Sequence, residues 1–174
     1  MEKRVLPLSE VRASMSGHKM KVSGYAATYE TLSRDLPAGN GKVFKERIAR
    51  RAFDKVLATN PDVVCTFNHN NDAVLGRTTS GTLRLRGDDT GLAFECDLPN
   101  TQIGRDVYES VKRGDLNGCS FAFELGERGD EEWSEEEELP ALTSQDLSRK
   151  RTPPAEEKIQ LKEKNPSHLC LLRV

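Results

Sequence analysis

Two alternating segments constrain this chain most: Leu83-Arg84-Leu85-Arg86 and Leu92-Ala93-Phe94-Glu95-Cys96-Asp97-Leu98, set either side of Gly87-Asp88-Asp89-Thr90-Gly91. Period-two alternation predicts strands with one buried face, and a connection of Gly and Asp is turn chemistry, so the pair predicts a β-hairpin. A lone hairpin is marginal in water and needs further strands over a shared core. Candidates lie on both sides. Lys19 to Glu30 alternates loosely, with Gly24 where a bulge or close backbone approach fits. Val63-Val64-Cys65-Thr66-Phe67 is a β-branched run, and Cys119, Phe121 and Phe123 alternate with Ser120, Ala122 and Glu124.

Two stretches carry helical spacing instead. Between Glu46 and Thr59, the residues Ile48, Ala52, Phe53, Val56 and Leu57 make one apolar face, ended by Asn60-Pro61. Between Thr101 and Arg113, Ile103, Val107 and Val111 do the same, with Gly114 placed to cap the end. Leu36 to Gly41, rich in Gly and Pro, reads as a loop. The fold class expected is mainly β with flanking helices (α+β).

Composition changes along the chain. Residues 1–18 form an N-terminal extension and residues 19–126 the folded domain, while 127–174 begin with an acidic run from Glu127 to Glu138. From Leu139 to Lys164 come prolines and basic blocks without sustained periodicity, so a poorly structured C-terminal tail is expected, ending in a short apolar segment from Ser167 to Val174. The 174 residues suffice for one domain with a core. With 26 Lys+Arg against 28 Asp+Glu, a formal charge of -2 offers no broad basic field to a phosphate backbone, so no direct nucleic-acid partner is expected. Met1 to Ser16 lacks the apolar run of a secretory signal, and no later segment approaches membrane-spanning length. The expectation is a cytoplasmic protein with no membrane partner.

The four cysteines, Cys65, Cys96, Cys119 and Cys170, show no C-x-x-C pair, which argues against a disulfide framework and a zinc ribbon. The first three read as small strand hydrophobes. A zinc reading assembles Cys65, His69, Cys96 and Cys119, but Cys65 and His69 are four apart in an extended stretch and so do not share a face. No cofactor is expected.

The chemistry centres on two motifs, Phe67-Asn68-His69-Asn70 and Asn117-Gly118-Cys119-Ser120-Phe121-Ala122-Phe123. His69 sits at a strand end, where positioned chemistry often lies. Ser120 lies on a strand leaving a tight turn, on the face opposite the two rings, where a neighbouring strand can bring an imidazole beside its hydroxyl. Such a pair is the minimum for a serine hydrolase. The plainer readings are a turn histidine and a tolerated small strand residue, since no G-x-S-x-G elbow is present.

The middle of the chain, roughly Val22 to Leu125, resembles the tailed-bacteriophage prohead serine protease family, whose fold is similar to that of the herpesvirus assembly protease. The landmarks, in order, are Gly24-Tyr25-Ala26, Ala52-Phe53, Phe67-Asn68-His69, Leu75-Gly76-Arg77-Thr78, Ser80-Gly81-Thr82-Leu83, Asp97-Leu98-Pro99, Gly104-Arg105-Asp106, Lys112-Arg113-Gly114-Asp115 and Gly118-Cys119-Ser120-Phe121. The resemblance implies a small, partly open or closed barrel, with Ser120 as nucleophile and His69 as general base. It implies a serine endopeptidase that cleaves scaffolding segments of the major capsid protein, and itself, inside a portal-containing prohead in the bacterial cytoplasm. A homo-oligomer is compatible with it.

The family carries at least one further strand after the nucleophile, expected to supply the group that orients the histidine. No such strand is legible here. Candidates for that third member are Asp146 and His168 downstream, and Glu95 or Asp97 on the hairpin. The alternative reading is a catalytically weakened or inactive capsid-morphogenesis protein that keeps the fold without its last strands.

Overall fold

Strand pairing, rather than local helical spacing, organises the chain in a computed structural model that describes residues 2–5, 11–33, 36–39, 42–124, 131–138, 157–164 and 168–173. The strands are β1 (Glu2–Val5), β2 (Arg12–Ser16), β3 (Lys19–Thr28), β4 (Leu36–Gly39), β5 (Lys42–Ile48), β6 (Val64–Thr66), β7 (Val74–Arg77), β8 (Leu83–Gly87) and β9 (Gly91–Asp97). They continue as β10 (Ser120–Glu124), β11 (Glu131–Glu138), β12 (Glu157–Lys164) and β13 (His168–Arg173). Two helices, α1 (Asp54–Ala58) and α2 (Gln102–Arg113), complete the described elements. None of the helices among the described residues is long and apolar enough to cross a membrane.

The hairpin is where the sequence puts it. β8 and β9 pair antiparallel from Leu83 opposite Cys96 to Gly87 opposite Leu92, and β9 also pairs with β3. Together with β2 they make a sheet ordered β2-β3-β9-β8. A register shift between Tyr25 and Ala27 marks a bulge just beyond Gly24. Opposite it, a Cβ on Gly91 would collide with the carbonyl oxygen of Ala27, so only glycine allows this approach. The outward face is laced by ions: Lys21 Nζ lies 2.9 Å from Glu95 Oε1, and one Arg84 guanidinium nitrogen lies 2.6 Å from Glu95 Oε1 and 2.8 Å from Asp97 Oδ1.

The helical face expected over Glu46 to Thr59 is only partly helical. Residues up to Ile48 belong to β5, which pairs antiparallel with β4 and parallel with β12, while Ile48 also bridges Tyr29. Those backbone hydrogen bonds come from distant segments and override a local 3.6-residue period. Ile48, Ala52, Phe53 and Val56 are nonetheless all buried, so the spacing foretold what is covered but not the conformation. Asn60 ends α1 in the left-handed region at φ 51, ahead of Pro61. The loop expected at Leu36 to Gly41 instead contains β4, paired with β5.

α2 matches its expectation. Thr101 Oγ1 caps it by accepting from the Gly104 amide, Gly114 closes it at φ 83, and Val107, Tyr108 and Val111 are buried.

Backbone pairing also extends further along the chain than expected. β11 and β12 pair antiparallel, and β13 inserts between β10, antiparallel, and β6, parallel. The absence of a strand after the Ser120 strand is therefore corrected: β13 is one, and it is β10's direct neighbour. Its apolar alternation was too short to commit to a conformation locally, and pairing on both sides supplies what the sequence lacked. The remaining tail residues, 139–156 among them, lie outside the described residues.

The closed form of the expected barrel is likewise corrected. The described strands fall into three sheets, the hairpin's sheet together with β1-β10-β13-β6-β7 and β11-β12-β5-β4, and none closes on itself. β7 lies at the end of its own sheet. Its outer edge meets the hairpin through side chains rather than a ladder, with the Arg77 amide donating to Thr82 Oγ1 at 2.9 Å. A Cβ on Gly76 would stand 2.6 Å from Cys96 Sγ, which shows how closely the two sheets approach there.

The outward ion network gives stability a pH dependence. Arg84 holds Asp97 below the usual carboxylate range, and Lys21 with Arg84 does the same for Glu95. A carboxylate whose pKa is depressed by folding contributes stability above its unfolded pKa and loses it as pH falls through the folded value. Urea unfolding of the wild type is expected to lose stability as pH falls from about 4.5 to about 2, and Arg84→Gln to lose less over that window. The effect is modest, because these side chains are partly exposed.

Candidate active site

The alternation of β10 decides which way its serine points. Cys119 and Phe121 are buried in the core, where the Phe121 ring meets Phe53 edge-to-face at 5.6 Å between centroids and Phe53 in turn stacks on Tyr29 at 6.0 Å. Ser120 therefore faces the other side of the β1-β10-β13-β6-β7 sheet. Anchoring the neighbouring ring fixes the height of its hydroxyl.

His69 reaches the same side from a turn. Asn70 N donates to Phe67 O at 2.9 Å, while Asn68 and His69 both adopt the left-handed region, at φ 50 and φ 56. Positive φ at both central positions defines a type I′ turn. Asn and His tolerate that region better than most side chains, which accounts for Asn68 and His69 here. The turn sits at the tip of the β6–β7 hairpin, closed below by Phe67 N donating to Ala73 O at 3.0 Å.

These two placements converge. Ser120 Oγ lies 3.1 Å from His69 Nε2, across 51 residues of sequence. Ser120 is 1% exposed and His69 is half-buried, while Asn117 and Gly118 beside them are exposed. Among the described residues, a Cβ on Gly118 would meet nothing within 4 Å.

The other candidates sit elsewhere. Glu95 and Asp97 accept from Lys21 and Arg84 on the hairpin sheet. His168 opens β13 opposite Glu124, at the far end of β10 from Ser120, which is opposite Arg173. Asp146 lies outside the described residues. For the zinc reading, Cys65, Cys96 and Cys119 are buried in the core while His69 is directed at Ser120. A hydrogen bond with Cys96, together with burial, pushes the Cys65 thiol well up, away from the thiolate a metal needs. Among the described residues no three His, Cys, Asp or Glu side chains are grouped to hold a metal ion.

Sequence reasoning missed Thr66. Its side chain is fully buried, and the register Ser120–Arg173–Thr66 across β10, β13 and β6 puts it on the same face as Ser120. A hydroxyl inside the β-branched run Val63 to Thr66 was the available signal. The turn type was also legible in principle, since Asn-rich tetrapeptides favour positive φ.

The sequence model of the caudovirus prohead serine protease family matches residues 8–149. No curated protein and no solved structure matches the chain.

The strained turn generates a stability prediction. A β-branched residue at φ near 50 costs about 1–2 kcal/mol, whereas glycine pays nothing for that region. Chemical denaturation is expected to show Asn68→Val losing about that much and Asn68→Gly losing none.

Proposed function

Because the chain belongs to the caudovirus prohead serine protease family, we propose that it is an active serine endopeptidase in which Ser120 is the nucleophile and His69 the general base. The single observation that carries this reading is the 3.1 Å contact between Ser120 Oγ and His69 Nε2, at the positions where a nucleophile and base are needed.

A serine hydroxyl is a weak nucleophile at neutral pH. With Nε2 unprotonated, the Ser120 hydroxyl donates to it, and His69 takes the proton as Oγ attacks the peptide carbonyl. The tetrahedral intermediate collapses when His69 returns that proton to the leaving amine. Water then enters, giving a proton to His69 as its oxygen bonds to the acyl carbon, and His69 passes that proton to Ser120 Oγ as the Oγ–acyl bond breaks and the carboxylic acid leaves. Positioned proton transfer of this kind contributes about 10² to 10⁴ in rate.

The substrates are the scaffolding segments of the major capsid protein and the protease itself, inside the prohead in the bacterial cytoplasm. The buried setting of Ser120 fits a substrate that enters as an extended segment over Asn117 and Gly118, since a folded surface would not reach the hydroxyl. Substrate and enzyme confined in one shell also meet at high effective concentration, so modest affinity suffices.

Co-expression with a capsid protein that still carries its scaffolding segment tests the reading. Wild type is expected to release that segment, and Ser120→Ala to lower the rate about 10⁴-fold or more. Equal processing by both would overturn the assignment.

A further inference from the structure

One polar group on the face shared by Ser120 and His69 has no task in their reading as nucleophile and base, the reading on which this inference rests. Thr66 is 0% exposed, and its Oγ1 has no hydrogen-bond partner among the described residues. Buried hydroxyls are nearly always paired, and one that is not carries a desolvation cost. Thr66 fits a β-strand no better than valine would, so secondary structure does not require the hydroxyl.

Its place points to a role. Ser120 and Thr66 occupy one register row, separated by the single strand β13, so their Cα atoms are about 10 Å apart at ordinary strand spacing. Both side chains are on the same face. The His69 ring enters this interval from the β6–β7 turn, three residues after Thr66, and puts Nε2 on Ser120 Oγ. An imidazole has its two nitrogens on different edges, so with Nε2 committed to Ser120 the Nδ1 edge is turned away from β10. The strand lying in that direction, beyond β13, is β6 with Thr66. Nδ1 is itself shielded from water.

We infer that Thr66 is a positioning residue, whose Oγ1 accepts a hydrogen bond from Nδ1–H of His69 while the ring holds the proton taken from Ser120. A neutral imidazole with Nε2 free already carries its proton on Nδ1, and the imidazolium makes that N–H a much stronger donor. The contact thus strengthens as positive charge develops, which favours the transition state over the resting enzyme. The bond is not formed in the free enzyme, where Thr66 Oγ1 has no partner among the described residues, and it forms when substrate fills the site.

Full-length Thr66→Val, Thr66→Ala and Thr66→Ser are compared with wild type on a peptide spanning a scaffold cleavage site. Thr66→Val is expected to lower kcat about tenfold with KM unchanged and with no loss in urea midpoint. Thr66→Ala, which only removes atoms and so avoids any clash, shows the same fall in kcat. Thr66→Ser, which keeps the hydroxyl, stays within about twofold of wild type. Wild-type kcat in the folded Val or Ala variant overturns this inference alone, as does a loss confined to stability. A wild-type enzyme that neither cleaves the peptide nor reacts with a serine-directed phosphonate overturns the Ser120–His69 reading, and this inference with it.

Discussion

The burial of Phe121 is the constraint on which the rest of this site depends. Because side chains alternate along β10, sinking Cys119 and Phe121 into the core obliges Ser120 and Ala122 to face the other way. The edge-to-face contact with Phe53 then adds about 0.5–1.5 kcal/mol beyond simple burial and removes freedom from the backbone that carries the serine. Slipping the strand by one residue would put a hydroxyl in the core and take the Phe121 ring out of it, so the register is strongly specified. The hydroxyl of Ser120 is thus positioned by its neighbour's hydrophobicity.

His69 is held by the opposite kind of device, one that costs energy locally. Two consecutive left-handed residues without glycine strain the backbone, by up to about 1–2 kcal/mol each and by less where asparagine tolerates the region. Burying a phenylalanine of the core contributes about 1.5–3 kcal/mol, so packing such as that of Phe121 and Phe53 outweighs the turn. Strained backbone of this type persists where surrounding structure over-determines it, and it clusters at functional sites. The β6–β7 hairpin, tied through β13 to β10, is that surrounding structure.

What was legible in the sequence divides along physical lines. The hairpin, α2 and the outward direction of Ser120 rest on local patterns, namely alternation around a Gly/Asp turn, apolar spacing with a capping glycine, and the parity of β10. They appear as read. The segment around Ile48 and the strand formed by His168–Arg173 rest on pairing with distant strands, which no local period encodes. The division into three sheets instead of a closed barrel follows from which distant strands pair, again a non-local matter. His69 and Ser120 were legible because each motif announces its own residue type. Thr66 was not, because its burial arises only when β13 lies between β6 and β10.

Activation of Ser120 by His69 is the central claim, and covalent labelling measures it most directly. Incubation of the purified chain with a serine-directed phosphonate, read by intact mass and peptide mapping, should give one adduct on Ser120, formed at least about 10²-fold more slowly in His69→Ala. Equal labelling rates in the two proteins, or an adduct on a different serine, would contradict it.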